Sequence, residues 1–102
     1  MTTIHLLVVR FLVPEARTEP FIAAHVSYLD QHHADGVFLA SGPTVPSAHG
    51  GAIVAAGVDR AAIERISAAD PFVAAGVARH DITTIAVQRH HRGLDAVLAG
   101  SG

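Results

Sequence analysis

The stretch Ile4 to Val13, IHLLVVRFLV, decides the fold of this chain. Its residues are apolar at both alternating positions and many are β-branched, which predicts a strand buried on both faces. A second stretch of this kind, Ala78 to Gln88, lies near the other end and is centred on ITTIAV at 82–87. A sheet that contains both strands therefore needs cover on both of its faces.

The segments between these two strands alternate between helical and extended patterns. In chain order they are a helix from about Thr18 to Ala34, a strand Val37 to Ser41, a loop Thr44 to Gly50, a strand Ala52 to Val58, a helix that follows Asp59 and ends near Ala69, and a helical turn Phe72 to Ala75. Gly36 suits the left-handed position that ends a helix. Asp59 and Asp70 stand where helix-capping carboxylates are favoured, and Pro71 fits the first turn of a helix. The tail from His90 is expected to contain a helical turn over Leu94 to Leu98.

The resulting order, βαββαβ, predicts an α+β ferredoxin-like fold with a four-stranded antiparallel sheet. Helices in this arrangement cover one face of the sheet and leave the other apolar face open. A second copy packed against that face would form a dimeric α+β barrel, so we expect a homodimer through the sheet faces. The 102 residues are expected to form one domain, with a core at about 4–88 and a tail at 89–102.

Composition excludes several classes of protein. The net charge is −2 and all seven basic residues are scattered arginines, whereas a nucleic-acid-binding protein needs a basic stripe. Cysteine is absent, which removes disulfides, thiolate metal sites and cysteine nucleophiles. No uncharged apolar run is long enough to cross a membrane, and the N-terminus does not resemble a signal peptide. A small cytoplasmic protein without nucleic-acid or membrane partners is expected.

Eight histidines are the main candidates for chemistry. Their spacing matches no metal-binding motif, so no metal and no cofactor are expected. His25 lies in the middle of the first helix at the edge of its apolar stripe, where spacing alone favours a half-buried structural histidine over a catalytic one. Asp70 is explained by helix capping alone. Ser41 is a candidate nucleophile only if a histidine lies beside it in space.

Three blocks of the sequence resemble the YCII (YciI-like) family. They are His25-x-x-Tyr28-Leu29, the stretch DGVFLASGP at 35–43 and the stretch DPFVAAGV at 70–77. The resemblance covers roughly Ile4 to Val87 and implies a ferredoxin-like dimeric α+β barrel. Members of the family carry a histidine and an aspartate that are proposed to form a catalytic dyad, and the matching positions here are His25 and Asp70. Some relatives have an arginine where this chain has Ile22, which puts an anionic substrate in doubt.

Because some members of that family are dehydrochlorinase-type lyases that act on chlorinated hydroquinones, the resemblance implies proton-transfer chemistry on a small cyclic or aromatic molecule. In this interpretation His25 is the general acid–base and Asp70 orients it. The residues expected to bind the substrate are Ser41, Gly42, Pro43, His49 and Phe72. Two alternatives stay open: a small-ligand-binding or regulatory module without catalysis, and a haem- or quinone-handling monooxygenase on a related barrel.

Overall fold

The computed structural model describes residues 2–99, and Met1 and residues 100–102 of the predicted tail lie outside the described residues. The strands are β1 (Thr3–Phe11), β2 (Phe38–Pro43), β3 (Gly51–Ala56) and β4 (Ala78–Ala86). The α-helices are α1 (Ile22–Ala34), α2 (Arg60–Ala68), α3 (Pro71–Ala74) and α4 (Asp95–Leu98). Short 3-10 helices lie at Glu15–Phe21, Ser47–His49 and Arg92–Leu94.

The four strands form one antiparallel sheet in the order β2-β3-β1-β4. β1 lies between β3 and β4, so the strand with the strongest apolar pattern occupies an interior position. Helices connect β1 to β2 and β3 to β4, which gives the βαββαβ order. The predicted α+β class with a four-stranded antiparallel sheet is confirmed, and this arrangement is compatible with a ferredoxin-like fold.

Alternation along the strands divides the sheet into two unlike faces. Leu7 and Val9 of β1 and Ile53 of β3 are buried beneath the helices, where Ile63 and Phe72 complete the core around them. The opposite face carries residues such as Leu6, which is only partly buried. This open face is the one expected to meet a second copy, and the homodimer stays a prediction.

Two capping interactions predicted from the sequence are confirmed. The Asp59 side chain accepts a hydrogen bond from the Ala62 N–H at 2.8 Å and so begins α2. Gly36 follows α1 with a φ of +83°, a left-handed conformation that suits glycine.

The predicted bounds of several elements are wrong by a few residues. The first α-helix begins at Ile22 and not at Thr18, because residues 15–21 form a 3-10 helix that contains Pro20, and proline has no N–H for an α-helical hydrogen bond. The third strand ends at Ala56 and not at Val58, because Gly57 turns the chain with a φ of +86°.

The ends of the other strands also differ from the prediction. β1 runs over 3–11 and not 4–13, and β4 ends at 86 and not at 88. β2 runs over 38–43 and not 37–41, because Pro43 still lies opposite Gly51 of β3. The last helical turn lies at Asp95–Leu98, close to the predicted position, and the Leu98 side chain is buried. None of the described helices is long and apolar enough to cross a membrane.

Candidate functional site

Asp70 lies at the start of α3, where the chain requires a helix cap. Its Oδ1 accepts a hydrogen bond from the Phe72 N–H at 2.9 Å, and Pro71 occupies the first helical position. The side chain is completely buried. A capping carboxylate is ordinarily at the surface, so the burial of Asp70 requires further partners.

His25 is the first of these partners. Its Nδ1 lies 2.8 Å from Asp70 Oδ1, and only 15% of the His25 side chain is exposed. The imidazole stacks on the Phe72 ring with 4.0 Å between the ring centroids and 6° between the planes. Because an ionised carboxylate can only accept, Nδ1 carries the proton, and Nε2 is the ring nitrogen left for a bound molecule.

The hydrogen bonds to Asp70 decide its charge. Burial alone raises the pKa of this carboxyl group, since it disfavours the ionised form. Hydrogen bonds from His25, His80 and the Phe72 N–H oppose this effect and lower the pKa from 3.8 to about 2. Asp70 is therefore a carboxylate at neutral pH, able to stabilise a proton on His25.

His80 is a further partner of Asp70 that sequence reasoning missed. It lies on β4, its side chain is completely buried, and its Nε2 is 2.8 Å from Asp70 Oδ2. Its Nδ1 is 2.7 Å from the hydroxyl of Ser67 on α2. The sequence contains one indication that His80 faces the core: it is two residues before Ile82, so both side chains project from the same face of the strand. The link to Asp70 could not be seen from spacing.

A cavity of about 220 Å³ lies between α1 and the sheet, beside this cluster. It is lined by Val9, Phe11, His25, Leu29, Ser41, Gly42, Pro43, Gly50, Gly51, Ala52, Ile53 and Phe72. The lining is mostly apolar, and its polar side chains are those of His25 and Ser41. A molecule in this cavity would therefore meet two hydrogen-bonding groups in apolar surroundings.

The residues expected to bind the substrate are placed as follows. Ser41, Gly42 and Pro43 line the cavity from the end of β2, and Phe72 lines it from α3. His49 does not line the cavity. It lies in the 3-10 turn that precedes Gly50, so the structure brings together four of the five residues.

Ser41 has a histidine beside it. The Nε2 of His33, near the end of α1, lies 2.8 Å from Ser41 Oγ, and both residues are exposed. His33 Nδ1 has no carboxylate partner within residues 2–99, unlike His32, whose Nδ1 lies 3.0 Å from Asp35 Oδ2. The His33–Ser41 pair can hold the serine hydroxyl in place, but it lacks the oriented base of a nucleophilic triad.

The buried His5 has a structural explanation. Its Nε2–H donates to the Val58 carbonyl oxygen at 2.8 Å, and its Nδ1 lies 2.8 Å from Thr84 Oγ1. Both ring nitrogens are therefore satisfied within the protein. In the part of the chain that the structure describes, no three histidine, aspartate or glutamate side chains are grouped so that they could hold a metal ion.

The comparison with protein families agrees with the resemblance noted in the sequence. The family model described as "YCII-related domain" matches residues 7–86, which is most of the chain and includes the His25 and Asp70 site. No curated protein matches the chain. The predicted family is confirmed: the chain belongs to the YCII-related domain family.

Proposed function

We propose that this protein is a small enzyme that moves a proton with His25 as general acid–base and Asp70 as its orienting partner. The observation that carries this proposal is the 2.8 Å contact between His25 Nδ1 and Asp70 Oδ1, made by a histidine that lines a cavity. Asp70 fixes the ring so that the basic Nε2 is available, which is the arrangement that general acid–base catalysis by histidine requires.

The chemistry that fits is elimination or isomerisation. In an elimination, His25 Nε2 takes a proton from a substrate carbon or hydroxyl group, the released electron pair forms a double bond, and a leaving group such as chloride departs with its bonding pair. The Asp70 carboxylate stabilises the imidazolium that forms. In an isomerisation, the same nitrogen returns the proton to a different atom.

The cavity suggests the type of substrate. Its lining contains no arginine, lysine or carboxylate, so it offers no permanently charged group to pair with an ionised substrate. Ile22, which stands where some relatives have arginine, is exposed and is not part of the lining. We therefore propose a small, neutral cyclic or aromatic molecule whose hydroxyl or carbonyl group bonds to Ser41. No cofactor is needed for such a step, and the active form is proposed to be a homodimer joined through the open sheet faces.

The first experiment measures which ring nitrogen of His25 is protonated, by ¹⁵N NMR on protein labelled at histidine, with His25→Gln to assign the signals. In the native protein we expect the Nδ1–H tautomer. Asp70→Ala removes the oxygen that accepts from His25 Nδ1, so the ring should shift toward the Nε2–H form that histidine favours in water. An unchanged His25 tautomer in Asp70→Ala would contradict the dyad.

The second experiment tests turnover with a chlorinated hydroquinone as probe and chloride release as readout. His25→Gln should abolish release and Asp70→Asn should reduce it strongly. His32→Gln is the matched control, because His32 also contacts a carboxylate from α1 but does not line the cavity. If the probe binds and is recovered unchanged, with an affinity that is indifferent to His25→Gln, the non-catalytic binding module becomes the better interpretation.

A further inference from the structure

We propose that His80, itself held by Ser67, is a positioning residue that fixes the Asp70 carboxylate and thereby selects Nε2 of His25 as the reacting nitrogen. This inference rests on the proposed function and adds two residues to its machinery. Neither His80 nor Ser67 lines the cavity, so both would act through Asp70.

Both oxygens of the Asp70 carboxylate are hydrogen-bonded within the protein. Oδ1 accepts from the Phe72 N–H and from His25 Nδ1, and Oδ2 is bonded to His80 Nε2 at 2.8 Å. A carboxylate held at one oxygen can rotate about its Cβ–Cγ bond, whereas donors at both oxygens define its plane. His80 therefore supplies the second point that keeps Oδ1 directed at His25.

His80 is itself oriented by the fold. The carboxylate requires a proton on Nε2, and Nδ1 lies 2.7 Å from Ser67 Oγ. Both ring nitrogens of His80 therefore have partners within the protein, Asp70 at Nε2 and Ser67 at Nδ1, and these two contacts fix the orientation of the ring.

The charged neighbours of His80 along β4 do not compete for this role. Arg79 and Asp81 are hydrogen-bonded to each other, both side chains are about half exposed, and alternation along the strand directs them to the other face of the sheet. From α1, Tyr28 approaches the site, but its hydroxyl donates to the Ile66 carbonyl oxygen at 2.7 Å. Within residues 2–99, Asp70 is therefore the one carboxylate within hydrogen-bonding distance of either histidine.

The test compares His80→Leu, which removes the donor, with His80→Gln, whose amide N–H can replace Nε2–H. The readout is the ¹⁵N tautomer signal of His25 at neutral pH. His80→Leu should lower the Nδ1–H population of His25, His80→Gln should largely restore it, and Ser67→Ala should give an intermediate value. If the chlorinated hydroquinone is a substrate, His80→Leu should lower kcat by about tenfold with little change in KM. A loss of this size is found when groups that orient a metal-bound histidine are removed.

The matched control is His5→Leu. His5 is also completely buried and bonded at both ring nitrogens, but none of its bonds reaches Asp70. This variant should reproduce the structural cost of losing a buried histidine and leave the His25 tautomer unchanged. If His80→Leu does not fold, Ser67→Ala still tests the inference, because it should lower the Nδ1–H population of His25 below the value in His5→Leu.

The outcomes separate this inference from the proposed function. If Asp70→Ala changes the His25 tautomer but His80→Leu and Ser67→Ala do not, the positioning role is overturned and the dyad stands. If none of the three variants changes it, the dyad fails as well. If His5→Leu shifts the tautomer as much as His80→Leu, the effect is a general one of destabilisation and the positioning role is again overturned.

Discussion

Replacing Asp70 with asparagine should remove a pH-dependent part of the stability of this protein. The side chain is completely buried and takes hydrogen bonds from His25, His80 and the Phe72 N–H. Asparagine keeps an oxygen that can cap α3, so the backbone contact with Phe72 survives. The variant loses the negative charge that two histidine N–H groups face.

The size of the effect follows from the lowered pKa. Burial by itself raises the pKa of Asp70, but the three hydrogen bonds bring it from 3.8 to about 2. One pKa unit corresponds to about 1.4 kcal/mol, so the ionised carboxylate adds about 2 kcal/mol to the free energy of unfolding. Because the pKa is lower in the folded state, this stabilisation is fully present above about pH 4 and is lost as the pH falls toward 2.

The assay is urea denaturation of the native protein and Asp70→Asn at one protein concentration, at pH values between 7 and 2. The native protein should be the more stable at pH 5 to 7. The difference in unfolding free energy between the two should shrink by about 2 kcal/mol as the pH falls through the window from 4 to 2.

The control is Asp59→Asn, which also changes a capping carboxylate to an amide. The Asp59 side chain accepts from the Ala62 N–H and contacts no histidine. The difference in unfolding free energy between Asp59→Asn and the native protein should vary far less with pH. A difference between native protein and Asp70→Asn that stays constant from pH 5 to pH 2 would refute the reasoning about the histidine-bonded carboxylate.

Two further predictions concern the packing around the site. Tyr28→Phe removes a buried hydroxyl that bonds to the Ile66 carbonyl at 2.7 Å, and should lower the unfolding free energy in urea by about 1 kcal/mol. Gly50→Ala should prevent stable folding, because its Cβ would lie 1.9 Å from the Val9 carbonyl oxygen. A thermal melt followed by circular dichroism measures this loss. Gly36→Ala is the control: it also has a positive φ but no atom within 4 Å, and should cost only about 1 to 2 kcal/mol. A Gly50→Ala protein that melts like Gly36→Ala would show that the β1–β3 approach is looser than described.

The elements of the fold could be predicted because each depends on neighbours in sequence. The apolar, β-branched runs of β1 and β4, the cap at Asp59 and the glycine at Gly36 are local signals, and the structure has strands, a helix start and a left-handed turn at those places. The bounds were less predictable. Proline at position 20 changes a helical pattern into a 3-10 turn, a choice that the apolar spacing does not contain.

The site was predictable only in part. His25 and Asp70 were singled out by the resemblance to the YCII family, since spacing alone explained one as a structural histidine and the other as a cap. Burial and contact distances showed that Asp70 is both a cap and the partner of His25. His80 carried no local signal of this kind, because its position on a strand is that of an ordinary core residue.

The sequence by itself determined the order of the strands and helices and the carboxylate caps that begin α2 and α3. Tertiary structure alone decided which polar groups meet. His25, Ser67, Asp70 and His80 come from four different segments of the chain. They meet because β4 lies beside β1 and contacts α2 and α3, while α1 contacts α3. Hydrogen bonds form between atoms within about 3 Å, so the bonded network at Asp70 exists only after the segments have packed.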